Sequence, residues 1–312
     1  MERRRFVWAV REGGLYMSLC QNCPRKCNVD REGGDKGYCG VDATVRIARS
    51  ALHLWEEPII SGTRGSGTIF FSGCNLRCVY CQNYEVSHKG KGRALTVREL
   101  EDRMLELQRQ GAHNINLVTP THYAPQIIQA LRRIRKQLYV PVIYNCGGYE
   151  SVETIDALDG LVDVYMPDLK YYSSTISRDY SGASDYFKVA KAAILRMQKQ
   201  VGKPVIDENG RLARGVLVRH LVLPGCRKDS IAVLEQLAKM FEPGDILLSL
   251  MSQYTPDFVP EDCPHDNLRR RITSLEYESV VGQMQKLGFE GFVQQRTSAT
   301  AAYTPVFEGD ED

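Results

Sequence analysis

Phe70-Phe71-Ser72-Gly73-Cys74-Asn75-Leu76-Arg77-Cys78-Val79-Tyr80-Cys81-Gln82-Asn83 is an apolar run that turns at a glycine and then delivers three cysteines. With Thr68-Ile69 before it, the run has the β-branched and aromatic content of a short buried strand. The cysteines are spaced C-x3-C-x2-C. Soft thiolates at that spacing can wrap one corner of a cubic iron–sulfur cluster and ligate three of its four irons, leaving the last open to a substrate or cofactor. A zinc knuckle is the competing reading, but zinc wants a fourth ligand and a closed tetrahedron.

Downstream of the cysteines, helices and strands alternate with short connections. Thr96 caps a helix expected over 97–110, which Gly111 stops. Further helices are expected over 124–137, 151–158, 184–201, 229–241 and 274–287. Strands are expected over 114–119, 140–145, 162–165, 216–223 and 246–251, with a hairpin turn at Asp207-Glu208-Asn209-Gly210. Counted from Thr68, six strands are each followed by a helix. Such alternation favours an α/β fold, a parallel sheet with right-handed crossovers, and six units make an incomplete barrel. Chemistry in these sheets gathers at the carboxyl ends of the strands.

Polar groups stand at those ends. The second strand runs into Thr119-Pro120-Thr121-His122, where His122 is either a substrate donor or a hydrogen-bonded loop histidine. The third ends in Asn145-Cys146-Gly147-Gly148-Tyr149-Glu150, whose paired glycines permit close backbone approach to a ligand. Cys146 reads as a small packing residue, with a substrate-facing thiol as the alternative. The fourth delivers Asp168-Leu169-Lys170, with Asp168 and Lys170 on one side of the strand and able to reach a zwitterion. The fifth carries Arg219 and His220, which alternation puts on opposite faces, so that at most one points at the site directly. Gln253-Tyr254-Thr255 after the sixth strand and Arg296-Thr297-Ser298 in the tail are candidates to close the open side.

Upstream, Cys20, Cys23, Cys27 and Cys39 fall within twenty residues beside a Gly-rich loop, and suggest one metal centre: a closed zinc site or an auxiliary iron–sulfur cluster. Residues 45–60 read as short strands, with Glu56-Glu57 before Pro58 taken as a solvated turn. The chain has 312 residues, 43% hydrophobic and 25% charged, with a net charge of +2. That is ordinary for a globular protein and argues for no nucleic-acid partner. Of ten cysteines, seven lie in two tight clusters rather than in spread pairs, which points to a reducing cytoplasm and not to disulfides. The apolar run at Phe6–Val10 is too short for a signal peptide, and no run approaches the roughly 20 residues of a membrane span.

The three-cysteine stretch, with aromatic Tyr80 just before its last cysteine, resembles the signature of the radical S-adenosylmethionine superfamily. The resemblance implies a (β/α)6 partial barrel. It implies a [4Fe-4S] cluster on Cys74, Cys78 and Cys81 whose open iron holds S-adenosyl-L-methionine, and reductive cleavage to a 5′-deoxyadenosyl radical that abstracts hydrogen. Asp168-Leu169-Lys170 and Val218-Arg219-His220-Leu221-Val222-Leu223-Pro224-Gly225 narrow it to the glycyl-radical-enzyme activating branch, typified by pyruvate formate-lyase activating enzyme. Many radical S-adenosylmethionine proteins carry a Gly-Gly-Glu-type segment where this chain has Thr119-Pro120-Thr121. By this likeness Thr119, Thr121, Asn145, Asp168, Lys170 and His220 are the cofactor-binding candidates. The implied partners are a flavodoxin- or ferredoxin-like reductant and a glycyl radical enzyme; radical modification of a small metabolite, peptide or nucleoside is the alternative, and a passive electron carrier the non-enzymatic one. The expected organisation is a cysteine-rich extension over 1–60, the barrel over 61–256, and a closing helix and tail over 257–312.

Overall fold

The computed structural model of the chain describes residues 10–11, 14–15 and 19–294. In chain order its elements are β1 (Val10–Arg11), β2 (Gly14–Leu15), β3 (Val45–His53), α1 (Pro58–Ser61), β4 (Ser66–Phe71), α2 (Tyr84–Ser87), β5 (Arg93–Leu95), α3 (Val97–Arg109), β6 (Ile115–Val118) and α4 (Ala124–Ile134). There follow β7 (Val142–Cys146), α5 (Val152–Ala157), β8 (Val164–Pro167), α6 (Ser174–Ser181), α7 (Tyr186–Val201), β9 (Val205–Ile206), β10 (Leu212–Leu221), α8 (Arg227–Ala238), β11 (Leu247–Met251), α9 (Ser274–Lys286) and β12 (Gly291–Val293).

β1 and β2 form a separate antiparallel ribbon. The other strands make one sheet in the order β12-β11-β10-β8-β7-β6-β4-β3-β5, with β9 paired to β10. From β4 through β6, β7, β8 and β10 to β11 every neighbouring pair is parallel, which bears out the α/β partial barrel. Three features depart from the expected pattern. Residues 45–60 form one nine-residue strand, antiparallel to β4 and β5, followed by a short helix. The polar helix α6 and the parallel edge strand β12 were not expected. After β4 the short α2 and β5 intervene before the first long helix.

Every residue of β4, β6, β7, β8 and β11 is buried, as strands covered on both faces must be. Helices cover the outside through apolar positions spaced three and four apart: Leu100, Met104 and Leu107 of α3, Ile127, Leu131 and Ile134 of α4, and Ala190, Ile194 and Met197 of α7. Each buried Leu, Ile or Met contributes roughly 1.5–3 kcal/mol. Thr96 and Glu99 close a capping box on α3, and Thr273 and Glu276 do the same on α9. Among the described residues no helix is long and apolar enough to cross a membrane. The N-terminal start, Arg296-Thr297-Ser298 and the acidic end lie outside the described residues.

Candidate active site

The strand ends converge on a cavity of about 230 Å³. The turn after β4 brings in Cys74, Cys78, Tyr80 and Cys81; β6 and its exit bring Val118 and Thr119; β7 brings Asn145 and Cys146; β8 leads to Asp168 and Lys170; β10 gives Arg219 and Leu221; and β11 leads to Gln253, Tyr254 and Thr255. His53 at the end of β3, with Trp55 and Glu56 just after it, adds to the wall. Six carboxyl ends therefore supply one site, as the parallel topology requires.

The floor is a buried charge network. Arg219 donates from Nε to Asp168 Oδ1 at 3.0 Å and from Nη2 to Asn145 Oδ1 at 2.7 Å, and faces Glu56 Oε2 at 3.4 Å. Lys170 Nζ meets Asp168 Oδ2 at 2.6 Å. Asn116 Nδ2 donates to Glu56 Oε1 at 3.1 Å. Burial works against the Asp168 carboxylate, but Arg219 and Lys170 outweigh it and hold it below its ordinary value. For Glu56 burial wins: its side chain is 10% exposed, its share of Arg219 is the longer contact, and its pKa is pushed up to about 7.

Each of the three cysteine sulfurs of the turn receives a donor. The Leu76 amide reaches Cys74 Sγ at 3.3 Å, Ser87 Oγ reaches Cys81 Sγ at 3.3 Å, and Ser181 Oγ reaches Cys78 Sγ at 2.9 Å. Behind Ser181 the hydroxyls continue through Tyr171 at 2.7 Å to Tyr80 at 2.6 Å. Burial pushes the Cys74 thiol up to about 12, so a metal's positive charge is what would make it a thiolate here. Three sulfurs lining one cavity, each supplied with a hydrogen-bond donor, fit an iron–sulfur cluster's ligand set. Among the described residues no three His, Cys, Asp or Glu side chains form a ready-made site for a single metal ion.

Of the residues expected to bind cofactor, Thr119, Asn145, Asp168 and Lys170 line the cavity. Thr119 does so in the left-handed region, φ 58°, with its amide on Asn145 O at 2.8 Å. That conformation is rare for a β-branched residue and concentrates at functional sites. Two expectations are corrected. Thr121 is fully buried behind the wall, where its hydroxyl donates to Glu150 Oε1 at 2.6 Å. His220 points the other way from its neighbour: it is 1% exposed, bonds Leu169 O at 2.6 Å, and Arg219 takes the site-facing position in register with Asp168. Burial drops the His220 pKa to about 4, a structural imidazole. His122 is likewise a buried loop histidine, 2.7 Å from Ser72 O.

Glu56 is a third correction, because the supposed solvated turn is folded into the wall beside Asn116. The pairing of β3 with β4 carries it there, and an acidic pair before proline gave no signal of that long-range contact. Cys146 lines the cavity, yet its thiol is directed at Glu150, a carboxyl that burial pushes up to about 7. The Arg269-Arg270-Arg271 run sits apart from the cavity, with Arg270 paired to Glu276 at 2.7 Å. Cys20, Cys23, Cys27 and Cys39 are also outside the cavity, in the loop packed against its back.

Comparison with known proteins places this geometry. Residues 68–210 match the radical SAM superfamily. An uncharacterised protein of Methanocaldococcus jannaschii is 28% identical over 283 residues, covering 87% of this chain and 75% of that one. Among solved structures, Streptococcus suis SuiB bound to its precursor peptide SuiA superposes with TM-score 0.48 at 11% identity over 71% of this chain. The chain spans only 46% of that SuiB chain. A spore photoproduct lyase variant gives 0.49 at 11% identity, covering 72% of this chain and 74% of that one. A domain of pyruvate-formate lyase-activating enzyme from Bacteroides vulgatus gives 0.36 at 13% identity, covering 64% and 91%. The loop of Cys74, Cys78 and Cys81 and the strands β6, β7 and β8 all lie inside the matched segment, so the part of the chain that is similar to the radical SAM superfamily is the part that builds most of this cavity.

Proposed function

We propose that the protein is a radical S-adenosylmethionine enzyme that activates a glycyl radical enzyme, drawing its electron from a flavodoxin- or ferredoxin-like reductant in a reducing cytoplasm. The observation that carries the reading is the cavity in which three cysteines face the Asp168, Lys170 and Arg219 network. A [4Fe-4S] cluster held by Cys74, Cys78 and Cys81 would supply reductive cleavage of S-adenosylmethionine to methionine and a 5′-deoxyadenosyl radical.

The chain's own residues bind and shield. Lys170 offers a cation to the carboxylate of an amino-acid moiety, and Asp168, kept ionised by its two cations, offers an anion to the amino group. Asn145 fixes the Arg219 guanidinium, so the network is preorganised before a ligand arrives. Phe70, Leu76, Val118, Leu221 and Met251 form apolar wall that keeps water from a reactive species. Hydrogen would come from the α-carbon of a glycine in the partner, leaving 5′-deoxyadenosine and a glycyl radical. The likeness of Asp168-Leu169-Lys170 and the 218–225 stretch to the activating branch supports that partner over a small metabolite.

Anaerobically reconstituted protein, given dithionite and S-adenosylmethionine, is expected to form 5′-deoxyadenosine, and Cys78→Ala to form none. Cofactor binding without cleavage would refute the enzymatic reading. Adding pyruvate formate-lyase as the first of a panel of glycyl radical enzymes is expected to give a glycyl electron paramagnetic resonance doublet. Nucleoside formation with no such signal across the panel would refute the activating role alone.

A further inference from the structure

The four N-terminal cysteines take no part in the cavity, yet the loop that carries them is built against it. We propose that Cys20, Cys23, Cys27 and Cys39 hold a second iron–sulfur cluster on four thiolates, and that this centre buttresses the loop bearing Cys74, Cys78 and Cys81. Only the role given to that second loop rests on the radical reading.

Residues 19–44 contain no helix or strand, and Cys23 and Cys39 are each only 6% exposed. A segment this short cannot bury a core of its own and needs a staple. All ten cysteines are free, so disulfides do not provide it. Cys39 instead lies within electrostatic reach of Cys20, Cys23 and Cys27. Cys27 and Cys39 both point at Gly37, where a Cβ would stand 3.2 Å and 3.7 Å from the two sulfurs. The Tyr38 amide donates to Cys27 Sγ at 3.2 Å, and the Arg25 amide faces the Cys23 sulfur. Amides turned toward sulfur in a glycine-rich turn are the surroundings of metal-bound thiolates. Lys26 and Asn28 hold left-handed conformations, φ 42° and 53°, that bend the chain around this group.

The contacts to the other cysteine loop are direct. The Cys74 amide donates to Cys39 O at 3.2 Å. Gly73, at φ 87°, lies so close that a Cβ would meet Cys39 O at 2.7 Å and the Val41 methyls at 3.1 Å. Arg25 bonds Asn75 O from Nε and Ser181 O from Nη2, each at 2.8 Å, with its guanidinium 3.8 Å from the Tyr38 ring. On the far side Ser151 and Thr154 hydroxyls hold Asn22 O at 3.2 Å and 2.6 Å. The cluster-bearing turn thus rests on a loop whose own shape is set by four thiols.

The test counts metals in anaerobically purified wild type, in a Cys74→Ala/Cys78→Ala/Cys81→Ala variant and in a Cys27→Ser/Cys39→Ser variant, with Mössbauer spectra of iron-57 protein. The triple variant is expected to retain about four irons, and the double variant to lose that same content. A triple variant without iron beside an iron-bearing wild type overturns the second centre and leaves the radical reading intact. Metal equal in wild type and triple variant sinks the radical reading and leaves this one standing. For the buttress, hydrogen exchange at 73–77 is expected to rise at least tenfold in the double variant while strand 216–221 stays protected; unchanged protection at 73–77 overturns it. Arg25→Met, which keeps the thiols, is expected to loosen 73–77 with full metal content, so a folding defect of the double variant does not decide the outcome.

Discussion

Replacing Glu56 by Gln is expected to make the protein more stable at pH 8 and to leave it nearly unchanged at pH 4. The carboxylate sits in the cavity wall at 10% exposure with one amide donor at 3.1 Å and a distant share of Arg219. Burial moves its pKa from 4.5 to about 7. Below the lower value both folded and unfolded chains hold the proton. As pH rises between the two values the unfolded chain ionises first, so stability falls, and above 7 the loss is complete. The gap corresponds to about 3 kcal/mol at most, and coupling to Arg219 brings the expected gain to roughly 1–3 kcal/mol. Gln keeps the shape and the Asn116 contact without the charge. Thermal unfolding of reduced protein should place the variant roughly 2–6 °C higher at pH 8 and nearly level with wild type at pH 4. A lower midpoint at pH 8, or the same gap at both pH values, would refute the reasoning. If the stabilised variant also forms less 5′-deoxyadenosine, the carboxylate is kept for its ligand and not for the fold.

Asp168→Asn should weaken S-adenosylmethionine binding roughly 10- to 100-fold, about 1.4–2.8 kcal/mol, because Lys170 and Arg219 lose their shared anion; isothermal titration of cluster-loaded protein reads it, and an unchanged affinity would remove Asp168 from the cofactor's contacts. Ser181→Ala takes the 2.9 Å donor from Cys78 Sγ, so an electron paramagnetic resonance redox titration should find a more negative cluster potential; an unmoved potential would reduce the Ser181, Tyr171 and Tyr80 hydroxyls to packing. Gly148→Ala places a methyl against Asp168 O at φ 79° and should cost several kcal/mol. Gly160→Ala, at φ 73° with open space around it, should cost only about 1–2 kcal/mol. Equal losses by urea melts would mean that the close approach at 148 carries no energetic weight.

The parts of the fold legible in the sequence are those that repeat a period or deliver a special residue. The six parallel strands are mostly apolar runs, and the three cysteines announce their own turn. What stayed hidden depends on pairing between distant segments. Nothing near Glu56 says that β3 lies antiparallel on β4 and swings that side chain into the cavity. Helix α6, Ser-Thr-Ile-Ser-Arg-Asp-Tyr-Ser, lacks an apolar stripe, yet its last serine touches a cysteine sulfur. Alternation established that only one of Arg219 and His220 faces the site; choosing between them needed the register that sets Arg219 beside Asp168. Thr121 failed for a local reason, since the 3-10 turn of Thr121–Tyr123 directs its hydroxyl inward to Glu150.

The sheet runs from β12 to β5 without the two ends meeting among the described residues. A closed barrel is a tube, and a polymer can enter a tube only by its tip. A split one is a trough: a loop fixed at both ends in a larger body can be laid in from the side, its middle residue lowered to the floor and lifted out again, with neither terminus ever passing through.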